Sequence, residues 1–242
     1  MRGESSGDGG MTEPVVRVEG LAAWYAPGRP VISIDSLNVP AHSVVGLLGM
    51  NGAGKTTLLN CLSNVHEGFR VGRVTGLGGV EELTTPTFMR RRYAVFTESQ
   101  GFRFWTFTRY LAFLEKVYET PVLVDLVEHL VEGFGFSEWR DRRIASLSTG
   151  SRKKVFLIAG LALRLPLLLL DEPSDALDFE STEFLYDAIN DYRDAGSILM
   201  SSHVAESFQR CCDLTYVLKD GGITGPFDTH GACDVRRLAG LD

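Results

Sequence analysis

The run Ser43-Val44-Val45-Gly46-Leu47-Leu48 leads without a break into Gly49-Met50-Asn51-Gly52-Ala53-Gly54-Lys55-Thr56, and this junction constrains the fold more than any other segment. A continuous apolar run of this length is a strand buried on both faces, as in a parallel sheet covered by helices. The spacing of Leu58, Leu59 and Leu62 then starts a helix over Thr56 to Ser63. Strand, G-x-x-x-x-G-K-[ST] turn and helix together make a phosphate-binding loop. Its glycines let successive N–H groups point inward, and the helix N-terminus adds positive potential. Asn51, Gly52, Ala53 and Gly54 form the cradle, and Lys55 reaches the β- and γ-phosphates. Thr56 offers its hydroxyl to Mg2+, and Thr57 offers another to the phosphates.

A second apolar strand, Leu167-Leu168-Leu169-Leu170, ends in Asp171-Glu172. Ligands of open α/β sheets sit at the carboxyl ends of strands, which is where this pair of acids falls. Asp171 is placed to hold Mg2+ through water, leaving Glu172 to orient or deprotonate an attacking water.

The rest of the chain supplies the layers around these strands. Val15, Val18 and Val31-Ile32-Ser33-Ile34 alternate as strands about a turn at Ala26-Pro27-Gly28, and Gly68 to Gly79 surrounds a further strand. Tyr93 to Glu98 reads as a strand, and Phe107 to Leu147 as helices with no strand signal between them. Helices over Ser151–Arg164, Phe184–Tyr192 and Ala205–Cys211 alternate with strands at Ser197–Met200 and Leu214–Leu218, and Asp220-Gly221 marks a hairpin. The fold expected is α/β, a P-loop NTPase core with an N-terminal antiparallel β layer and an inserted helical subdomain over about residues 100–147. Residues 1–12 read as a disordered tail, 13–230 as the domain and 231–242 as a C-terminal tail.

Composition narrows the class. At 242 residues one domain is expected. A net charge of −7 argues against a protein that coats nucleic acid. Cys61, Cys211, Cys212 and Cys233 show no CxxC spacing and read as free thiols. Arg164 and Pro166 interrupt the longest apolar region, so no segment reads as a membrane span, and Met1 to Gly10 lacks the apolar core of a secretion signal.

Three further motifs carry a resemblance to a known family. Leu147-Ser148-Thr149-Gly150-Ser151, shortly before the acidic strand, resembles the LSGGQ signature of ATP-binding-cassette (ABC) proteins. Pro173-Ser174-Asp175-Ala176-Leu177-Asp178 looks like that family's D-loop, and Ser201-Ser202-His203 like its switch histidine. The likeness runs from about Val15 to Pro226. It departs at Thr149, where the family has glycine, and at Ser151, where it has glutamine.

The resemblance implies ATP hydrolysis at two composite sites of a head-to-tail dimer. Ser148, Thr149 and Gly150 would act in trans on the partner subunit's ATP, and His203 would share the attacking water with Glu172. Tyr25 matches the aromatic that stacks on adenine, with Trp24 as the alternative. Glu98 matches the glutamine-loop residue that contacts Mg2+ or the water, with Gln100 as the alternative. The partners implied are a second ATP-binding subunit and a separate transmembrane permease, the chain lying on the cytoplasmic face of the membrane. The phrase Gly46 to Thr57 and the compact length resemble ATPases that serve exporters. The other class compatible with these motifs is a soluble ATPase acting on ribosomes or DNA, for which neither tandem duplication nor a coiled-coil insert is present.

Gly101-Phe102-Arg103-Phe104-Trp105-Thr106-Phe107 carries four aromatics. Phe102, Arg103 and Trp105 are expected to line the cleft that takes the permease's coupling helix. Arg90-Arg91-Arg92 reads as a solvated run. His42, His66, His129 and His230 and the cysteines form no ligand cluster, so no metal beyond Mg2+ is expected.

Overall fold

The computed structural model describes residues 14–77, 83–96 and 101–230. It opens with a hairpin, β1 (Pro14–Ala26) and β2 (Arg29–Pro40), whose turn falls where Pro27-Gly28 demanded it. β4 (Phe69–Arg70) and β5 (Arg73–Gly76) both pair with β1, completing an antiparallel sheet among the described residues. The strand after that hairpin, β3 (Val44–Leu48), belongs to a second sheet. There it joins β6 (Arg92–Val95), β7 (Leu167–Asp171), β8 (Ser197–Ser202), β9 (Leu214–Lys219) and β10 (Gly222–Asp228), in the order β10-β9-β3-β8-β7-β6. All neighbours in it run parallel except β9 and β10, the hairpin turned at Asp220-Gly221.

Strand alternation sends side chains to two cores. Val45, Leu47, Leu167, Leu169 and Leu199 face the antiparallel sheet and α1 (Lys55–Leu62). Val44, Leu48, Leu168, Leu170, Ile198 and Met200 face the opposite layer. That layer contains α5 (Thr149–Leu163), α6 (Phe179–Asp191) and α7 (Ala205–Cys211). α5 is buried on nearly every side from Lys153 onward, which is why its apolar run from Val155 lacks a polar stripe.

The helical lobe comprises α3 (Phe107–Tyr118), α4 (Val124–Gly133) and short 3-10 turns up to Ser146. Thr106 caps α3 by accepting a hydrogen bond from the Arg109 amide. The lobe is fixed to the core through Tyr110, whose hydroxyl lies 2.6 Å from that of Tyr93 on β6.

Three details differ from the sequence expectation. α2 (Pro86–Met89), a single turn capped by Thr85, carries too little periodicity to be seen in sequence. α6 begins five residues earlier than Phe184, because Asp178 caps it through the Ser181 amide. Arg92 is not solvated: it is 3% exposed, donates to the Leu83 carbonyl at 3.0 Å and lies over the Phe88 ring. Burial holds its guanidinium down to about 10.

Candidate functional site

β3, β8 and β7 are adjacent, parallel and in register: Leu48 lies beside Ser202, and Asp171 beside Ser201. Parallel neighbours end on the same edge of a sheet, so groups more than a hundred residues apart in sequence emerge together there. The loop after β3 curls because Gly52 and Gly54 take left-handed backbones, and Gly54, at φ 104, hands the chain to α1.

Lys55 is 5% exposed, and its ammonium donates to the Gly49 carbonyl at 2.7 Å while standing 3.3 Å from Glu172 Oε1. The other carboxylate oxygen, Oε2, accepts from the His203 amide at 3.1 Å and lies 2.9 Å from His203 Nδ1. Thr56 Oγ1 donates to Asp171 at 2.9 and 3.1 Å, and Ser201 Oγ donates to Asp171 Oδ1 at 2.7 Å. The same Ser201 oxygen accepts from the Glu172 amide at 3.0 Å, so one hydroxyl fixes both acids. Glu172 itself has a left-handed backbone, φ 45, a conformation that costs a non-glycine residue energy and is concentrated at functional sites.

Two residues that sequence reasoning gave no role hold this arrangement. Lys153, 5% exposed, donates to the backbone carbonyls of both Asp171 and Glu172 at 3.1 and 3.0 Å. Burial lowers its pKa against the opposing pull of Asp171, Asp175 and Glu172. Ser201 is the second. Nothing in the sequence separates Lys153 from its neighbours Arg152 and Lys154; only the packing of α5 beneath β7 does.

A cavity of about 320 Å3 opens at this edge, lined by Tyr25, Val31, Met50–Gly52, Gly54–Thr57 and Glu172. Tyr25 is 71% exposed; its hydroxyl is 3.0 Å from Thr57 Oγ1 and its ring meets His66 edge-on. Trp24, the alternative, is half-buried and not among the lining residues. Ala53 packs on the antiparallel core instead.

Ser148, Thr149 and Gly150 stand apart from that cavity, at the exposed start of α5. Ser148 caps the helix by accepting from the Ser151 amide at 3.1 Å. A Cβ at Gly150 would come within 2.4 Å of the Ala176 carbonyl, so the glycine retained here is one the chain needs for close contact with the segment after Glu172. Glu98 and Gln100 lie outside the described residues.

The side chains of the aromatic segment go to different places. Phe107 is buried and Phe104 is 79% exposed. Phe102 lines a groove of about 550 Å3 with Tyr110, Phe156, Met89 and Phe96. Trp105 does not line it; its ring packs between Phe102 and Phe113 with Arg109 over its face. Arg103 is also absent from the lining, its carbonyl taken by the Ala145 amide.

With this geometry in view, the sequence profile of the family described as ABC transporter matches residues 32–175, more than half the chain. The chain belongs to the ABC transporter ATP-binding family. It is 35% identical over 229 residues to the ABC transporter ATP-binding protein AlbC of Bacillus subtilis strain 168, covering 92% of this chain and 95% of that one. Identity is 30% over 241 residues to the daunorubicin/doxorubicin resistance ATP-binding protein DrrA of Streptomyces peucetius, covering 94% and 71%. It is also 33% identical over 212 residues to the molybdenum import ATP-binding protein ModC of Methylococcus capsulatus strain Bath, covering 85% and 59%. A solved ATP-binding subunit of an ABC transporter superposes with a TM-score of 0.77 at 22% identity over 94% of both chains, which confirms the fold. The chain is thus an ATP-binding subunit of an ABC transporter system and an ATP hydrolase by family. No helix among the described residues is long and apolar enough to cross a membrane.

Proposed function

We propose that this chain is the motor of an exporter whose channel is a separate permease, hydrolysing ATP as a head-to-tail dimer on the cytoplasmic face of the membrane. The observation that carries the chemistry is Glu172, one carboxylate within reach of both Lys55 and His203 at the mouth of the phosphate loop. Lys55 binds the β- and γ-phosphates, the loop amides and Thr57 hold the remaining phosphate oxygens, and Tyr25 stacks on the base. Glu172 Oε2 takes or orients the proton of the attacking water, and His203 keeps that oxygen aimed. The hydroxyl of Thr56 and the carboxylate of Asp171 converge as hard oxygen donors, the kind Mg2+ prefers, and would hold it together with water and phosphate oxygens. Bound there, Mg2+ supplies charge neutralisation for the phosphates.

Ser148, Thr149 and Gly150 do not line the phosphate cavity of their own chain, which supports a dimer in which they close the partner's site. The groove beside Phe102 supports permease docking, since an aromatic-lined concavity fits an amphipathic helix. Export rests on the Gly46-to-Thr57 phrase and on the likeness to DrrA; the likeness to ModC carries the opposite direction.

Glu172→Gln tests the central assignment. ATP binding should persist while turnover falls by roughly 10²–10⁴, the usual contribution of a positioned base. Hydrolysis near the wild-type rate would remove Glu172 from the mechanism.

A further inference from the structure

The edge that carries the phosphate loop also gathers a donor set that the sequence keeps apart. Glu172, Asp175 and His203 each present one metal-ligating atom, and the three atoms lie within 4.8 Å of one another. A turn in which the Asp175 amide donates to the Glu172 carbonyl brings the two acids together, and the pairing of β7 with β8 delivers His203 beside them. Ligands around one transition-metal ion, each about 2.0–2.2 Å from it, stand about 3–4 Å apart. Glu172 Oε2 and His203 Nδ1 are already 2.9 Å apart, so a small movement of the Asp175 carboxylate completes the set.

The two oxygens of Glu172 are divided in a way that favours a cation here. Oε1 faces Lys55, whereas Oε2 faces the imidazole, so a metal on Oε2 leaves the lysine contact in place. Chemistry selects the ion. Mg2+ prefers oxygen donors in near-ideal octahedra, while one imidazole and two carboxylates suit Zn2+ and its first-row neighbours. His203 is half-exposed, which gives a cation a path from solvent.

We propose that Glu172, Asp175 and His203 form a site for a Zn2+-class dication, distinct from the Mg2+ position at Thr56 and Asp171, whose occupation arrests hydrolysis. A metal held there withdraws Glu172 Oε2 and the His203 ring from the attacking water; no bond of the nucleotide is made or broken by it. The arrest rests on the roles proposed above for Glu172 and His203, but the binding does not.

The test uses Co2+ as a spectroscopic probe and Zn2+ as competitor on the full chain. Metal-free protein titrated with Co2+ should develop visible d–d bands that Zn2+ displaces, with no thiolate charge-transfer band. Asp175→Asn should weaken Co2+ binding about tenfold or more, since losing even an indirect partner of a ligand costs roughly 10–100-fold. Mg2+-ATPase measured at buffered free Zn2+, with each protein normalised to its own Zn2+-free rate, should need about tenfold more Zn2+ for half-inhibition in that variant. Asp175→Ser repeats the measurement in case the asparagine disturbs folding. Equal titrations in wild type and both variants, or a thiolate band, would overturn the site. Co2+ binding that depends on Asp175 in a protein without ATPase activity would keep the site and remove the hydrolytic reading. Robust ATPase activity with no Co2+ binding would do the reverse.

Discussion

Replacing Lys153 by methionine would test whether Glu172 is held in place from underneath. The side chain is 5% exposed and its ammonium donates to the Asp171 and Glu172 carbonyls. Methionine keeps much of the stem but takes a donor from both carbonyls, at about 1–3 kcal/mol for the buried one of Asp171 and less for that of Glu172, which keeps the Asp175 amide. Against that stands relief from burying an ammonium, a cost visible in the lowered Lys153 pKa. The balance is a loss of about 2 kcal/mol, which in a chain of this size lowers Tm by about 4–8 °C. The Glu172 carbonyl, left with the Asp175 amide as donor, belongs to the residue held at φ 45, so the carboxylate loses part of its support. Turnover should fall about 10–100-fold with KM for ATP nearly unchanged, because the phosphate loop is untouched. The pH dependence gives an independent sign. A lysine whose folded pKa lies below the ordinary 10.5 leaves the unfolded chain holding more protons just below that pH. Wild-type stability should therefore gain on the variant as pH climbs toward 10.5. Calorimetry and steady-state kinetics read all three effects. A variant with unchanged Tm and full turnover would refute the argument.

Two other outcomes follow from the same structure. With Glu172→Gln to prevent hydrolysis, ATP should convert monomer to dimer on a sizing column, and adding Ser148→Arg should abolish the shift while ATP still binds; dimer formation in the double variant would place Ser148 outside the interface. Burial pushes the Cys61 and Cys211 thiols up to about 12 and Cys212 well above its ordinary value, so iodoacetamide at pH 8 should label none of the three until denaturant is added. Labelling of any of them in the native protein, read by peptide mapping, would contradict that burial.

What the sequence made legible and what it did not divide along a physical line. Strands such as Leu167–Asp171 and the loop from Gly49 to Thr56 announce themselves because burial on both faces and inward-turning amides each demand particular residues in a row. Lys55, Asp171, Glu172 and His203 converge because adjacent parallel strands end on one edge, a consequence of the α/β pattern itself. The roles of Lys153 and Ser201 were hidden because they depend on which side chain a buried helix or strand turns toward a backbone carbonyl or amide. Arg92 reads as surface because three arginines in a row have no periodicity; its burial comes from Phe88 and Leu83, which only the tertiary fold places against it. Trp105 and Phe102 look equivalent in sequence, yet one fills the lobe and the other lines a groove, since the turn preceding α3 sends neighbouring rings to different places.

The two consecutive lysines of α5 give that helix a mechanical character. Lys153 grips the end of β7, while Lys154 donates to the Phe134 carbonyl in the lobe at 2.8 Å and to Asp178, the cap of α6, at 2.9 Å. Successive helical residues point about 100° apart, so one helix holds the end of β7 with one side chain and the lobe with the next. A displacement of the lobe relative to the sheet strains the Lys154 bonds as well as the Tyr93–Tyr110 contact, or carries α5 with it, and α5 begins at Ser148 and holds the carbonyl of Glu172. Beside the Tyr93–Tyr110 contact, the lobe and the Glu172 backbone are thus joined through two neighbouring side chains of one helix, a linkage with no flexible loop in it.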